Sequence, residues 1–267
     1  MAWRLISLSS VVFEKFRLLP LLGIRIHFTG LNGMKIRELQ EQVYEANLEL
    51  VRRNLVLFTW GNASGIDRCE GVIAIKPSGM EYNDMRPKHI VVVNLNGRVI
   101  DGHLKPSSDT ATHLVLYRAF EHIGGIVHTH STHATAWAQS RRNIPNVGTT
   151  HADYFSQSIP CTRPMTDMEI DGDYETETGN VIVECFRERA INPVHVPAVL
   201  VSNHGPFSWG QSPAEAVYHA VVLEEVARMT LLTAALNPEL PMNPKLIEKH
   251  FARKHGPNAY YGQNENK

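Results

Sequence analysis

The chain of 267 residues is poor in cysteine, with only Cys69, Cys161 and Cys185. Their odd number and the lack of a CxxC pair argue against a disulfide framework and favour a reducing, cytoplasmic compartment. Net charge is also nearly absent, because the formal value is -1 at pH 7. Nothing in this balance indicates nucleic acid or an anionic membrane as a partner. No stretch reaches the roughly 20 apolar residues that a membrane-spanning helix needs.

Nucleotide-binding fingerprints are missing as well. Neither GxGxxG nor GxxxxGK[ST] occurs, so the sequence predicts no dinucleotide or nucleoside triphosphate site. Histidine, in contrast, is abundant, with 14 residues. Because histidine is the commonest metal ligand and the proton carrier of neutral pH, this excess indicates metal or acid–base chemistry.

Residues 1–33 differ from the rest of the chain. They hold four basic residues and one acidic residue, and charged residues break their apolar runs. This composition is typical of an organelle transit peptide, unless Met34 is the functional start. From Met34 onward, apolar residues at helical spacing give the next segment an apolar face of its own. We therefore expect an extension outside the fold at 1–33 and one domain at 34–267.

Helices and strands alternate along that domain, which predicts the α/β class. The predicted helices cover 35–53, 107–122, 131–142 and 179–190, and two more helices end the chain. The predicted strands lie near 56–60, 72–76, 90–94 and 124–130 and within 195–210. No linker or repeat divides the domain.

The stretch GIVHTHSTHA at 125–134 places three histidines close together. If IVHTH is a strand, His128 and His130 point to the same face, roughly 7 Å apart, where they could share one cation. His133 falls at the start of the next helix and shares no face with them. The stretch therefore predicts two ligands and a bystander, although a hydrogen-bonded pair would also explain His128 and His130.

Two further groups could complete a metal site. Asp109 lies at a predicted helix start, where ordinary N-cap chemistry is the simpler explanation. His204 follows an apolar strand and precedes a glycine turn, a position at which functional sites often lie. Three imidazoles and one carboxylate, without a thiolate, are typical of Zn²⁺ or another borderline divalent ion.

Three turn-rich segments indicate an anion site. WGNASGID (60–67), KPSG (76–79) and KPSSD (105–109) each follow a predicted strand. Small residues let backbone N–H groups converge on a phosphate, to which serine hydroxyls and lysine add donors and charge. Each segment alone is an ordinary turn. Together they predict a ligand with a phosphate at one end and a metal at the other.

These motifs resemble a known family. In order, WGNASGID, KPSSDT, GGIVHTHSTHATAWAQ, GTTHADYF, SNHGPFSWG and RKHGPNAYYGQ are similar to bacterial L-ribulose-5-phosphate 4-epimerases of the class II aldolase superfamily. The resemblance covers about residues 35–263. The TTHADYF and YYGQ segments resemble the epimerases rather than the related aldolases. Asp109 also resembles the epimerases, because the related aldolases usually carry a glutamate at that position.

The resemblance implies a role for each matching residue. It implies one Zn²⁺ per subunit, or another divalent ion, held by Asp109, His128, His130 and His204. It implies acid–base roles for Asp153 and Tyr261. Substrate and phosphate binding would fall to Gly61, Asn62, Lys76, Ser78, Gly79, Ser107, Ser108, His250 and Arg253. The implied fold is a three-layer α/β/α single domain around a mixed, largely antiparallel central sheet, assembled as a homotetramer with active sites at the subunit interfaces.

The implied reaction inverts C4 of a ketose phosphate, a small-molecule sugar phosphate, and links L-ribulose 5-phosphate to D-xylulose 5-phosphate, as in arabinose or ascorbate catabolism. Because no dinucleotide fingerprint is present, cleavage of C3–C4, rotation of glycolaldehyde phosphate and re-addition fit better than transient oxidation. Two alternatives stay open: a sugar-phosphate aldolase that releases the aldehyde, and a non-catalytic protein whose metal stabilises the fold. We expect Tyr261 to act in a neighbouring subunit's site, because a terminal segment needs something to hold it.

Overall fold

The computed structural model describes residues 30–238, 242–255 and 259–260. Most of the predicted N-terminal extension lies outside these residues, so the boundary at Met34 stays a prediction. The first helix begins at Gly30 rather than at residue 35. Within the described ranges, no helix is both long and apolar enough to cross a membrane.

The described residues form eight α-helices, seven strands and two short 3-10 helices (Tyr82–Asp84 and Pro87–His89). The helices are α1 (Gly30–Arg52), α2 (Thr110–Ala119), α3 (Thr132–Gln139), α4 (Thr149–Ala152), α5 (Asp167–Asp171), α6 (Tyr174–Glu188), α7 (Pro213–Leu236) and α8 (Pro244–His255). The strands are β1 (Gly61–Asp67), β2 (Val72–Ile75), β3 (Val91–Asn94), β4 (Val99–Asp101), β5 (Gly125–Thr129), β6 (Ala198–Leu200) and β7 (Pro206–Gly210). The sequence did not predict β4, α4 or α5.

The strands form one open sheet in the order β4-β3-β2-β1-β5-β7-β6. Every neighbouring pair is antiparallel, and an isolated parallel bridge joins Cys161 to Leu200 at the end of β6. The expected α/β class with a largely antiparallel sheet is therefore confirmed.

Successive side chains of the strands enter opposite cores, as strand geometry requires. Ile73 packs in a core beneath α2, α3 and α6, whereas Val72 and Ala74 pack in a second core beneath α1 and the first turns of α7. The sheet therefore lies between two helical layers, which is the expected three-layer arrangement.

The position of β1 corrects the sequence-based expectation. Residues 56–60 form no strand, and GNASGID, which the sequence pattern placed in a loop, is the central strand β1. Small side chains are needed there because helices pack closely over the strand. A Cβ at Gly65 would stand 2.8 Å from the Pro213 ring and 3.0 Å from Leu39. Packing therefore outweighs the weak strand propensity of these residues.

Candidate metal and phosphate site

Three of the four predicted metal ligands meet at one end of the sheet. His128 lies on β5, His130 follows that strand, and His204 lies in the turn between β6 and β7. One potential ligand nitrogen from each ring lies within 4.8 Å of the other two. The antiparallel pairing of β5 with β7 brings the turn that holds His204 beside the end of β5.

The ring of His128 is oriented for metal binding. Its Nδ1 lies 3.0 Å from the carbonyl oxygen of Pro206 and must donate to it, so the lone pair is on Nε2. That Nε2 lies 3.1 Å from Nε2 of His130. Two imidazole nitrogens bound to one tetrahedral zinc at its usual bond length would be about 3.3 Å apart. A carbonyl acceptor behind the ring is the usual support of a metal-bound histidine.

The rings of His130 and His204 are suited to bind a cation because their surroundings favour the uncharged form. Burial lowers the pKa of His130, and burial together with the neighbouring His128 and His130 lowers the pKa of His204 to about 3. Neutral imidazoles offer lone pairs to a metal without first losing a proton. Nδ1 of His204 is buried without a hydrogen-bond partner among the described residues. The donor set therefore fits a divalent ion.

Asp109 occupies the N-cap position of α2, but its side chain makes no capping hydrogen bond. Its Oδ2 instead accepts a hydrogen bond of 2.6 Å from Asn62 Nδ2. Burial opposes its ionisation, but the imidazoles of His128 and His113 and the Asn62 bond hold its pKa below the usual value. Asp109 is thus an ionised carboxylate beside the three rings.

His133 lies apart from the three rings. Its Nδ1 is 2.7 Å from Glu224 Oε1, and the same carboxylate accepts the backbone N–H groups of His133 and Ala134 at the start of α3. Glu224 therefore caps that helix and holds the His133 ring. The described metal-type cluster contains His128, His130 and His204 and includes neither His133 nor Asp109.

A cleft of about 410 Å³ opens in front of the three rings. It collects all the predicted phosphate-loop residues beside the candidate ligands. Its lining includes Gly61, Asn62, Lys76, Ser78, Gly79, Ser107, Ser108, Asp109, His128, His130 and His204. Residues carried by three separate segments therefore share one cavity.

Backbone hydrogen bonds join two of those segments. Ser107 N donates to Lys76 O at 3.0 Å, and Ser78 N donates to Lys105 O at 2.9 Å. Asn62 Nδ2 reaches Ser107 Oγ at 3.2 Å and connects β1 to the same pair of loops. Small hydroxyl-bearing residues next to exposed turns can bind an anion such as phosphate.

Two residues of the cleft have unusual surroundings: Gly61 has an unusual backbone conformation, and Lys76 is a buried lysine. Gly61 has a φ of +123°, and a Cβ there would lie 2.7 Å from the carbonyl oxygen of His128, so the close approach of β1 to β5 requires glycine. Lys76 is buried, which lowers its pKa to about 8, and its Nζ donates to the carbonyl oxygen of Met80 at 2.7 Å. Its charge is thus held beside the phosphate loops.

Sequence reasoning missed three residues that line the cleft, namely Thr59, Tyr174 and Glu175. Tyr174 and Glu175 open α6, in a segment that the sequence pattern left in a loop-rich region. Thr112 Oγ1 on α2 donates to the carbonyl oxygen of Glu175 at 2.6 Å, which anchors this end of α6 to the helix that follows Asp109. Glu175 and Glu177 lie in the first turn of α6. Acidic residues are favoured at a helix N-terminus, so this pair was the signal in the sequence for the start of α6.

Asp153, His250 and Arg253 come together in a second cluster, which does not line the cleft. Asp153 follows α4, and the two basic residues come from α8. Oδ1 of Asp153 accepts from His250 Nδ1 at 2.9 Å, and Arg253 binds both carboxylate oxygens at 3.0 and 2.7 Å. The predicted partners therefore meet, but apart from the candidate metal ligands. Tyr261 lies outside the described residues.

An exposed apolar turn borders the cleft. The side chains of Leu57, Phe58 and Trp60 are 63%, 69% and 53% exposed, and Thr59 between them lines the cavity. Phe58 has a positive φ of 50°, which is unfavourable for a bulky side chain. The rings of Phe58 and Trp60 contact each other edge to face, with centroids 5.6 Å apart.

Comparison with known proteins gives concordant results. Residues 41–231 match the family model described as the class II aldolase and adducin N-terminal domain. The L-ribulose-5-phosphate 4-epimerase UlaF of Salmonella paratyphi B is 54% identical over 229 residues, which cover 85% of this chain and 100% of that protein. The protein of the same name from Salmonella typhi is also 54% identical over the same lengths.

Solved structures share the fold at lower identity. An L-fuculose 1-phosphate aldolase superposes with a TM-score of 0.66 at 24% identity, over 80% of this chain and 94% of that chain. The L-fuculose 1-phosphate aldolase from Glaciozyma antarctica gives a TM-score of 0.67 at 17% identity and covers 85% of each chain. The three-layer architecture is therefore that of the class II aldolases.

Proposed function

The chain belongs to the class II aldolase and adducin N-terminal domain family, and we propose that it is a metal-dependent epimerase that interconverts L-ribulose 5-phosphate and D-xylulose 5-phosphate. The observation that carries the proposal is the shared cleft, in which three imidazoles and one carboxylate face two serine-bearing loops. This arrangement suits a phosphorylated sugar that is held at both ends. The identity to relatives named L-ribulose-5-phosphate 4-epimerase supports the choice of substrate.

The residues of this chain would divide the work along the cleft. Asp109, His128, His130 and His204 would hold a divalent ion, for which we propose zinc. When bound, the ion supplies Lewis acidity that stabilises the negative charge released as C3–C4 breaks. Ser78, Ser107 and Ser108 with the neighbouring backbone would hold the phosphate and keep the aldehyde fragment from leaving while it turns. Asn62 Oδ1, buried without a partner among the described residues, is placed to accept a hydrogen bond in this cleft.

Epimerisation also needs groups that move a proton at the C4 oxygen on both faces of the aldehyde. Asp153, His250 and Arg253 belong to the second cluster and do not line the cleft of their own chain. We therefore propose that this cluster, with Tyr261 from the segment after α8, completes the cleft of a neighbouring copy in a homotetramer. The exposed turn of Leu57, Phe58 and Trp60 borders that cleft and supports such a contact.

Two smaller parts of the proposal follow from the sequence. The N-terminal extension would lie outside the catalytic domain at 34–267. We propose a cytoplasmic location because Cys69, Cys161 and Cys185 are all free.

The proposal is tested by the reaction itself. Purified protein is given L-ribulose 5-phosphate, and formation of D-xylulose 5-phosphate is followed before and after chelation and after zinc is restored. We expect turnover that is lost with the chelator and returns with the metal, and Asp109→Asn should be nearly inactive. An alcohol dehydrogenase that consumes free glycolaldehyde phosphate separates the epimerase from an aldolase. If free glycolaldehyde phosphate appeared as fast as L-ribulose 5-phosphate disappeared, that result would contradict epimerisation.

A further inference from the structure

Two polar contacts, side by side, join α2 to β1 behind the cleft. Asp109 and His113 are one helical turn apart, so their side chains lie on one face of the helix. Asn62 and Ser64 are alternate residues of β1 and share one face of the sheet. The Asp109 carboxylate accepts from Asn62, and Nδ1 of His113 lies 2.7 Å from Ser64 Oγ. The His113 ring is therefore the neighbour of a candidate metal ligand.

His113 has no part in the reaction proposed above, yet its ring is fully buried. Its Nε2 has no hydrogen-bond partner among the described residues. The edge of the Phe207 ring packs against it, with centroids 6.1 Å apart, and Phe207 in turn is stacked on His128 at 4.2 Å. Buried polar atoms are nearly always paired, so this nitrogen requires an explanation.

The contacts of Ser64 decide which nitrogen of His113 carries the proton. Ser64 Oγ also lies 2.8 Å from the hydroxyl of Tyr117, which is buried. Because Ser64 Oγ is the acceptor found for that hydroxyl among the described residues, Tyr117 donates to it. The single hydroxyl proton of Ser64 then goes to His113 Nδ1, which must accept it. The proton of the neutral ring is therefore on Nε2.

The same contacts set the direction of the Nε2–H group. Ser64 Oγ contacts both His113 and Tyr117, and Tyr117 lies one turn further along α2. Nδ1 of His113 thus faces the C-terminal end of the helix. Nε2 is on the opposite edge of the ring and faces back toward Asp109, at the start of the helix.

The ring and the carboxylate are close enough to affect each other. Burial lowers the pKa of His113 to about 3, although the Asp109 carboxylate acts in the opposite direction. Burial acts to raise the pKa of Asp109, whereas the charges of His128 and His113 lower it. His113 is therefore a fixed dipole and not a titrating group near neutral pH. A dipole acts strongly on a charge at a buried site, where the local dielectric constant is low.

We propose that His113 is a positioning residue of the metal site, which directs its Nε2–H group at Asp109 and so keeps that carboxylate ionised and in place for the cation. Ser64 and Tyr117 hold the ring in the required tautomer. This role rests on the metal site of the proposed function. Carboxylates that bind metals are usually supported by such donors, and removal of one typically weakens metal binding about 10- to 100-fold.

Two substitutions separate the two nitrogens of His113. Glutamine can place an amide N–H near the former Nε2, whereas asparagine can bond to Ser64 near the former Nδ1 and offers no donor near Nε2. We expect His113→Gln to keep a zinc affinity close to that of the wild type. His113→Asn should lose about 10-fold or more. Competition with a chromophoric chelator measures zinc affinity without turnover.

The matched controls are His219→Gln and His219→Asn. His219 is a half-buried histidine of α7 whose Nδ1 lies 2.6 Å from the carbonyl oxygen of Trp209. Both control variants should bind zinc as the wild type does. If the His113 ring only fills space and anchors β1, His113→Asn should bind zinc at least as well as His113→Gln. Either that order or equal losses in the two variants would overturn the proposal.

A measurement on the wild-type protein does not depend on how the variants fold. Nitrogen NMR of His113 should show a neutral ring with its proton on Nε2, and a proton on Nδ1 would refute the assignment. A protein with the expected tautomer and the expected order of zinc affinities, but without epimerisation, would contradict only the proposed reaction. A wild-type protein that binds no zinc would contradict the metal site and, with it, the role of His113.

Discussion

The Nδ1 atom of His128 lies 3.0 Å from the carbonyl oxygen of Pro206, a contact between residues 78 positions apart in the chain. Because the carbonyl can only accept, this one contact fixes the tautomer of His128 and directs its Nε2 toward His130. The pairing of β5 with β7 creates it. The same pairing places His204 in the cluster, so sheet topology assembles the candidate metal site.

Metal content should separate the three neighbouring histidines. His128→Asn and His130→Asn should each weaken zinc binding at least about 100-fold, because each removes a ligand. His133→Asn should keep metal near the wild-type level and lose about 1 kcal/mol of stability with its Glu224 hydrogen bond. Elemental analysis after dialysis against a competing chelator measures the first effect, and urea unfolding measures the second. Equal metal loss in all three variants would contradict the assignment.

Mixed assemblies should reveal whether two chains share one site. Asp109→Asn damages the cleft and Asp153→Asn damages the second cluster, so each should be nearly inactive alone. After the variants are unfolded and refolded together, about a quarter of sites in a cyclic assembly would combine an intact cleft with an intact neighbouring cluster. About a quarter of the wild-type activity should therefore return. Native mass spectrometry checks that the two variants have formed mixed assemblies. If each chain uses its own cluster, every site keeps one defect and activity does not recover.

The apolar turn beside the cleft should be part of a subunit contact. Phe58→Ser combined with Trp60→Ser should weaken assembly and reduce activity about tenfold or more, since large aromatic side chains dominate most interfaces. Sedimentation velocity over a range of protein concentrations measures the assembly. Met168→Ser is the matched control, because Met168 on α5 is 87% exposed and distant in sequence. An unchanged mass and activity in the double variant would show that the turn serves another purpose.

Acid should destabilise the fold through buried neutral histidines. Burial lowers the pKa of His151 to about 4, against a usual value of 6.5. A ring that is neutral when folded contributes its full stability above pH 6.5 and loses it as the pH falls toward 4. Between pH 6.5 and 5 the loss from this one residue is about 2 kcal/mol.

The variant His151→Gln should therefore lose less stability than the wild type over this pH interval, by about that amount. Urea unfolding at the two pH values measures the difference. His122→Gln is the control, because the same substitution at this exposed position removes no buried ring. If His151→Gln lost as much stability between the two pH values as the wild type does, the prediction would be contradicted.

Local pattern accounts for much of what the sequence predicted. The helical spacing of apolar residues predicts the helix at 107–122 that contains α2, and the alternation in IVHTH predicts that His128 and His130 point to the same side at the end of β5. These signals depend on residues near each other in the chain, where helix and strand periods act directly. For the same reason His133 could be separated from the pair.

The tertiary structure decided what local pattern could not. β1 is a strand because β2 and β5 pair with it on both sides and because α1 and α7 leave room only for small residues. The Asp109 carboxylate turns to Asn62 instead of capping its helix, which no local motif indicates. The sequence alone determined which segments have the periodicity of a helix and which chemical groups are available. The fold alone decided which residues meet, because those contacts depend on sheet pairing and packing between distant segments.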